Sequence, residues 1–173
     1  ELLNLTPDAQ EEIRRLLALQ GKEYTPLEFS LLQDIAKNYT TIQKTRTIDS
    51  YVYNDNTTGI ETTIEIVVRT NQSLEFLEIV EVIPKSFARH TDELIFSTKP
   101  IVIEEDPVIM WHLEEVENET SFSYLVEKNT SITGNTVILA RTAQHQDTTT
   151  TFPWKIVLPL LVIPLIAGIL LYF

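Results

Sequence analysis

The sequence predicts a mainly β protein, in which an α-helical hairpin precedes an antiparallel β-sandwich and one apolar helix follows it. Three observations support this fold class. Apolar residues recur at helical spacing in the first forty residues, they alternate with polar residues from about residue 45, and the last 18 residues carry no charge. These patterns divide the chain into a hairpin over 1–42, a sandwich over 45–141, a Thr-rich stalk over 142–153 and a transmembrane helix over 154–173.

Both predicted helices begin at a Thr-Pro pair, Thr6–Pro7 and Thr25–Pro26. Threonine caps helix N-termini and proline suits the first helical position, while Glu28 completes a capping box in the second helix. Gly21 is suited to end the first helix. The predicted apolar faces are Ile13, Leu16, Leu17 and Gln20 in the first helix, and Leu27, Leu31, Leu32 and Ile35 in the second. Two short helices bury little surface alone, so we expect them to pack on the next domain or on a partner.

The segment after the helices has the period of β-strands. Residues 60–69 alternate apolar and polar side chains, and Tyr51–Tyr53 leads into a polar turn over Asn54–Gly59. About seven short strands in roughly 100 residues predict a sandwich of immunoglobulin-like type. The further strand candidates are Leu74–Ile83, Leu94–Thr98, Val108–Leu113, Phe122–Val126 and Thr136–Arg141.

Composition excludes several functions. The chain has 13 Lys and Arg against 25 Asp and Glu, a net charge of −12, which argues against a nucleic-acid partner because phosphate binding needs a basic face. The absence of cysteine excludes disulfides, thiol catalysis and Cys-ligated zinc. With four glycines in all, no Gly-rich phosphate loop can be assembled.

The uncharged run Ile156–Phe173 predicts one membrane-spanning helix. At about 1.5 Å per residue it is just long enough for a hydrocarbon core of roughly 30 Å. Interfacial residues flank the run, and prolines and a glycine inside it are tolerated in a membrane. The lipid bilayer is therefore an expected partner. The predicted anchor residues are Trp154, Lys155, Pro159, Pro164, Gly168 and Tyr172.

N-x-[ST] triplets are unusually frequent. Six of the eight asparagines begin such a triplet, whereas the Ser and Thr content predicts roughly one or two by chance. We therefore predict N-linked glycans. The predicted acceptors are Asn4, Asn38, Asn56, Asn71, Asn118 and Asn129.

Glycan transfer implies that the bulk of the chain is extracytoplasmic. The chain starts at Glu1 and its single methionine is Met110, as expected after removal of a signal peptide. One observation opposes this orientation: Lys155 lies on the outer flank and no Lys or Arg follows the span, so the positive-inside rule gives no support. A cytosolic tail-anchored topology is the alternative.

Four short motifs follow one another in a familiar order. They are Glu81–Lys85, Pro100–Pro107, Trp111–Leu113 and Phe122–Val126. This order resembles the Ig-like domains of archaeal secreted and S-layer-associated surface proteins, over about residues 60–141. The resemblance implies a structural or scaffolding module, in which Trp111 and Tyr124 are core anchors and not ligand contacts. A single copy behind a helical hairpin departs from the repeated family pattern, and favours a dedicated subunit.

No residue set predicts a metal site. Asn54–Gly59 with Glu65 matches most of the spacing of a calcium loop, but Asn54 replaces the first Asp and a strand follows, which favours a polar turn. The acidic run Glu104–Asp106, with Glu114 and Glu115, is typical of a solvated loop. The histidines His90, His112 and His145 lack zinc-site spacing.

No residue set predicts catalysis either. Ser86, His90 and Asp92 are close in sequence but lack a nucleophile motif such as G-x-S-x-G. We therefore expect no cofactor, metal or catalytic residue.

The expected function is that of a non-enzymatic, N-glycosylated, single-pass cell-membrane protein. Its extracytoplasmic Ig-like domain would act in protein–protein interaction or surface scaffolding, with a membrane or surface protein as partner. The alternative is an accessory subunit of a larger membrane complex, such as a transporter, protease, translocon or glycosyltransferase, in which the kinked span packs on other helices. A third hypothesis is a hydrolase that uses His90 or His112.

Overall fold

A computed structural model describes residues 6–143. Two helices precede eight strands: α1 (Pro7–Ala18), α2 (Pro26–Tyr39), β1 (Thr40–Val52), β2 (Thr58–Thr70), β3 (Leu74–Val82), β4 (Ile95–Phe96), β5 (Ile101–Glu104), β6 (Val108–Val116), β7 (Glu119–Val126) and β8 (Asn135–Thr142). A 3-10 turn, Thr91–Glu93, precedes β4. No helix within residues 6–143 is long and apolar enough to cross a membrane. The predicted transmembrane helix lies outside the described residues.

The strands form two antiparallel sheets of four strands each. Sheet 1 has the order β1-β2-β7-β4, and sheet 2 has the order β5-β6-β3-β8. Side chains from both sheets share one apolar core, as in a β-sandwich, which confirms the predicted mainly β architecture. Trp111 and Tyr124 are buried in this core, where the Trp111 ring lies 4.9 Å from that of Phe122. The alternation predicted for β2 is confirmed, because Ile64 and Ile66 are fully buried and Glu65 is exposed.

The helices add a third layer on the outer face of sheet 2. Ile13, Leu16 and Leu17 of α1 and Phe29 and Leu32 of α2 are buried in one apolar cluster. Strand residues of opposite parity to those in the sandwich core complete this cluster: Val80, Val108, Met110, Val137 and Leu139. The hairpin therefore packs on the domain that follows it, and sheet 2 is buried on both faces.

The predicted helix starts are confirmed by their hydrogen bonds. The Thr6 hydroxyl accepts from Ala9 N, and the Thr25 hydroxyl accepts from Glu28 N at 3.2 Å. The Glu28 carboxylate accepts in return from Thr25 N at 2.8 Å, which completes the capping box. Gly21, with φ +74°, reverses the chain after α1.

The predicted face of α2 is half right: Leu32 and Ile35 pack against the apolar clusters, but Leu27 and Leu31 do not. Leu27 and Leu31 are 80% and 57% exposed, while Phe29, Leu32 and Ala36 are buried. A helix buries one stripe, and here the aromatic ring buries the larger area while alanine permits close approach to β8. Because β1 follows α2 directly, the strand also fixes the rotation of the helix. In α1, Gln20 is likewise exposed and not part of the buried face.

Two strand predictions need correction. Strand β1 begins at Thr40, before the predicted change of period at residue 45, and β5 was not predicted at all. Most of β1 is exposed on both faces, so its polar sequence lacks the alternation that marks a half-buried strand. Strand β5 has four residues, too few for a periodic pattern.

Candidate functional site

The described sequon asparagines are all exposed. They are Asn38, Asn56, Asn71, Asn118 and Asn129. Asn38 lies near the end of α2, Asn129 follows β7, and the other three lie in turns between strands. Asn56 and Asn118 adopt φ values of +64° and +65°, which asparagine tolerates in tight turns. Asn4 and all six predicted anchor residues lie outside the described range.

Three of these asparagines share one end of the sandwich. Asn71 N donates to Tyr39 O at 3.0 Å, next to Asn38, and Thr70 N donates to Asn118 O at 2.6 Å. Strand β8 finishes at the same end, because its Thr142 is paired with the first residue of β3. Three acceptor candidates therefore surround the end at which the chain leaves the sandwich.

A buried carboxylate fastens the two sheets together. Glu81 of β3 is fully buried and forms an ion pair with Lys44 of β1. Its carboxylate also accepts from the Tyr124 hydroxyl at 2.7 Å and the Thr136 hydroxyl at 2.6 Å. Burial, followed by the Glu81 charge, raises the pKa of Tyr124. Gly134 is required beside this group, since a Cβ there would lie 2.3 Å from Glu81 Oε1.

A second buried carboxylate fastens the helical hairpin to sheet 2. Glu78, 1% exposed, forms an ion pair with Lys22 and accepts from the Tyr24 hydroxyl at 3.2 Å. His112 Nδ1 lies 3.1 Å from the same carboxylate. Burial, followed by the charge of Glu78, raises the pKa of Tyr24. Because protein groups enclose the carboxylate, the cluster joins elements and does not present a reactive group.

The remaining candidates are dispersed. Ser86, His90 and Asp92 are exposed residues of the segment between β3 and β4, and His112 belongs to the Glu78 cluster on another face. The described range contains no group of three or more His, Asp or Glu side chains that could hold a metal ion. His145 lies outside it.

The candidate calcium loop is a hairpin turn. Asp55 Oδ1 accepts from the backbone N and hydroxyl of Thr57 at 2.9 and 2.6 Å, and these hydrogen bonds lower the pKa of Asp55. Of the acidic run, Asp106 is paired with Lys85 at 2.9 Å and Glu104 lies 3.8 Å from Arg15. Each of these two carboxylates is therefore close to a cationic side chain of its own.

The first two strands extend beyond the sandwich as an arm. Strand β7 pairs with β2 from Arg69 to Thr62 and reaches no further, so residues 49–52 and 58–61 form a two-stranded projection. Its inner face exposes Ile48, Val52 and Ile60 by 42%, 68% and 38%. We call residues 48–61, which comprise this projection with Ile48 at its base, the arm.

Tyrosines stiffen the outer face of the arm. Tyr51 lies across Gly59, where a Cβ would meet its ring at 2.4 Å. Its hydroxyl shares a hydrogen bond with the Tyr53 hydroxyl at 3.1 Å, and this hydrogen bond is the main cause that raises the pKa of Tyr51 to about 12. The outer face of the arm therefore has specific side-chain contacts across its two strands.

A groove of about 400 Å³ lies between α1 and the outer face of sheet 2. Ile13, Leu16 and Val137 contribute apolar walls, and Glu12 and Glu104 lie at its rim. None of the residues that line this groove is a buried charged residue that points into it.

Comparison with protein-family models, with curated proteins and with solved structures gave no match. The resemblance to archaeal Ig-like surface domains therefore stays a prediction.

The sequence did not predict the structural roles of Glu78 and Glu81. The available signal was the position of Glu78 and Glu81 inside the apolar strand Leu74–Ile83, one on each face. Their partners lie 34 to 56 residues away in sequence, so spacing alone could not identify them.

Proposed function

We propose that this chain is a non-enzymatic, N-glycosylated, single-pass membrane protein whose extracytoplasmic β-sandwich acts through protein–protein contacts or as a surface scaffold. The observation that carries the proposal is the exposure of every described sequon asparagine. An oligosaccharide on any of these five side chains would project into solvent without disturbing the core. The proposed anchor is the apolar run after Lys155, with the lipid bilayer as its partner.

The contacts of the buried carboxylates and of the histidines support a non-catalytic role. Glu78 and Glu81 are enclosed by their own partners, and the described histidines do not meet a nucleophile. The Ig-like assignment is supported by two antiparallel sheets around a buried Trp111, and the archaeal surface family is proposed from the four motifs alone.

Glycan mass and a matched pair of variants test the glycosylation proposal. The full chain, expressed in a host that N-glycosylates secretory proteins, should exceed its polypeptide mass of 19.9 kDa by several glycans. Asn56→Gln should remove one glycan. Asn54→Gln, in the same turn but outside any N-x-[ST] triplet, should remove none. An unmodified mass in such a host would refute the proposal and favour the tail-anchored topology.

A second candidate is the accessory subunit of a larger membrane complex. Leu27 and Leu31, one turn apart, expose apolar side chains on the outer face of α2. Substitution of Gly168, Pro159 and Pro164 by leucine separates the two candidates. These changes should be harmless in a solitary anchor, whereas loss of a co-purifying multi-span protein would establish the accessory role.

A further inference from the structure

The backbone of β1 offers a free hydrogen-bonding edge. Tyr53 N donates to Thr57 O at one end of the β1–β2 ladder, and Asn71 N donates to Tyr39 O at the other. The register between the strands has no shift, so the odd-numbered residues of β1 bond to β2 throughout. The N–H and C=O groups of Arg46, Ile48 and Ser50 therefore point away from β2. Among the described strands, β1 pairs with β2 alone.

This edge is accessible over its distal half. Arg46, Ile48, Ser50 and Val52 are all exposed on the inner face, whereas Lys44 is held by Glu81. Inward-pointing charges discourage unwanted strand pairing, but here the Lys44 charge is neutralised and only Arg46 remains. The predicted sequons Asn38 and Asn56 flank the strand, and none lies within it.

We propose that β1 pairs with β1 of a second copy of this chain, antiparallel and about a two-fold axis at Ile48. A two-fold axis normal to the sheet sets one residue of β1 opposite itself. Centred on Ile48, it joins two exposed apolar side chains. It also sets Arg46 opposite Ser50 and Lys44 opposite Val52, so that no like charges meet.

Other centres are less favourable, either on charge or on the length of strand that they pair. Axes at Lys44, Arg46 or Asp49 oppose like charges directly, and an axis at Thr45 sets Lys44 against Arg46. Axes at residues 41–43 or 50–52 oppose no like charges but pair at most seven residues of β1, against nine for Ile48. An axis at Thr47 avoids this repulsion but sets the apolar Ile48 against the Arg46 guanidinium. The Ile48 centre therefore best fits the side chains of the strand.

The arm has a receiving surface in this arrangement. A cleft of about 300 Å³ lies between β1 and the start of β8, lined among others by Ile42, Lys44 and Thr136. With Val52 of one copy opposite Lys44 of the other, the exposed apolar end of each arm reaches the mouth of this cleft. Each copy both gives and receives an arm, as an isologous interface requires.

The absence of native cysteine permits a direct test of the register in the full-length protein. Residues opposite one another in a hydrogen-bonded antiparallel pair have Cα atoms about 5.5 Å apart, within disulfide range. Ile48→Cys should therefore form a covalent dimer on mild oxidation. Ser50→Cys is the matched control, because its two copies would lie about 13 Å apart along the strand.

Mixing two variants tests the same register independently. Arg46→Cys and Ser50→Cys should each stay uncross-linked alone and form a mixed disulfide when combined. Cross-linking of Ser50→Cys with itself, or of Thr47→Cys in preference to Ile48→Cys, would overturn the proposed register.

Particle mass tests the association itself. Light scattering of the full chain in mild detergent should give two copies per particle for the wild type. Ile48→Lys should give one copy, because two ammonium groups would meet at the axis. Thr47→Lys, which adds the same charge opposite Asp49 on the outer face, should keep two copies.

This inference rests on the proposed function and names a second copy of the chain as the partner in its protein–protein contacts. The pairing of β1 and the glycosylation can fail separately. A wild-type particle with one glycosylated copy would overturn the inference and leave the glycoprotein proposal intact. A sugar-free particle of two cross-linked copies would do the reverse.

Discussion

The two sheets of the sandwich differ in how their surfaces are used. Sheet 2 is covered on its outer face by α1 and α2, and α2 packs along β8, whose residues Thr136–Ala140 are buried. Sheet 1 has a polar outer face, and its long edge strand β1 is exposed. Sheet 2 therefore carries the packing of the helical layer, whereas β1 carries backbone hydrogen-bonding groups that no described strand pairs with.

The largest predicted effect concerns the carboxylate that joins the sheets. Glu81→Ala would leave the Lys44 ammonium and the Tyr124 hydroxyl without their shared acceptor in a buried position. Removing one partner of a buried ion pair costs about 3–5 kcal/mol. Glu65→Ala, on the exposed face of β2, should change the free energy of unfolding by less than about 0.5 kcal/mol. Urea unfolding measures both, and equal losses would mean that Glu81 is not a fastening group.

The next effect distinguishes the buried face of the helical layer from its exposed face. Leu17→Ala should lower the free energy of unfolding by about 2–5 kcal/mol, because it opens a cavity against sheet 2. Leu27→Ala, at 80% exposure, should stay within about 0.5 kcal/mol. If Leu27→Ala proved the more costly in urea unfolding, α2 would be rotated so that Leu27, and not Phe29, faces sheet 2.

A smaller effect is expected at the start of α2. Thr25→Ala removes the cap and should cost about 1 kcal/mol. The hydrogen bonds from Thr25 lower the folded-state pKa of Glu28, so their contribution is present above the unfolded pKa and is lost as pH falls through the folded one. The difference between wild type and variant should therefore shrink in acid. A difference that grew as pH fell would contradict the capping box.

The smallest effect lies at the tip of the arm. Tyr53→Phe removes the hydroxyl that raises the pKa of Tyr51, and the pKa should fall from about 12 toward that of an ordinary tyrosine. Ultraviolet difference titration follows this change. Since both rings are at the surface of the arm, the free energy of unfolding should hardly move, and an unchanged titration would mean that the two hydroxyls do not meet.

Local chemistry explains what the sequence could predict. The two Thr-Pro starts and the Asn54–Gly59 turn depend on neighbours within a few residues, and the structure confirms them. The alternation of apolar and polar residues in β2 could also be predicted from the sequence, because one face of this strand is buried. These features need no knowledge of the rest of the fold.

Tertiary contacts explain what the sequence could not predict. The choice between Phe29 and Leu27 for the buried face of α2 depends on sheet 2. Strand β1 could not be recognised in full from the sequence, because an exposed edge strand needs no alternation of apolar and polar residues. The roles of Glu78 and Glu81 could not be predicted because their cationic partners, Lys22 and Lys44, are 56 and 37 residues away in sequence. The candidate contact surface was therefore the part least visible in the sequence.

The most direct test of a glycosylated protein that works by contact is the mass of the intact native particle. The full chain, extracted in mild detergent from a host that N-glycosylates, would be weighed and its components identified. We expect two copies of the 19.9 kDa polypeptide, each heavier by several N-linked glycans. A single polypeptide of unmodified mass would contradict both the glycoprotein and the pairing of β1 edges.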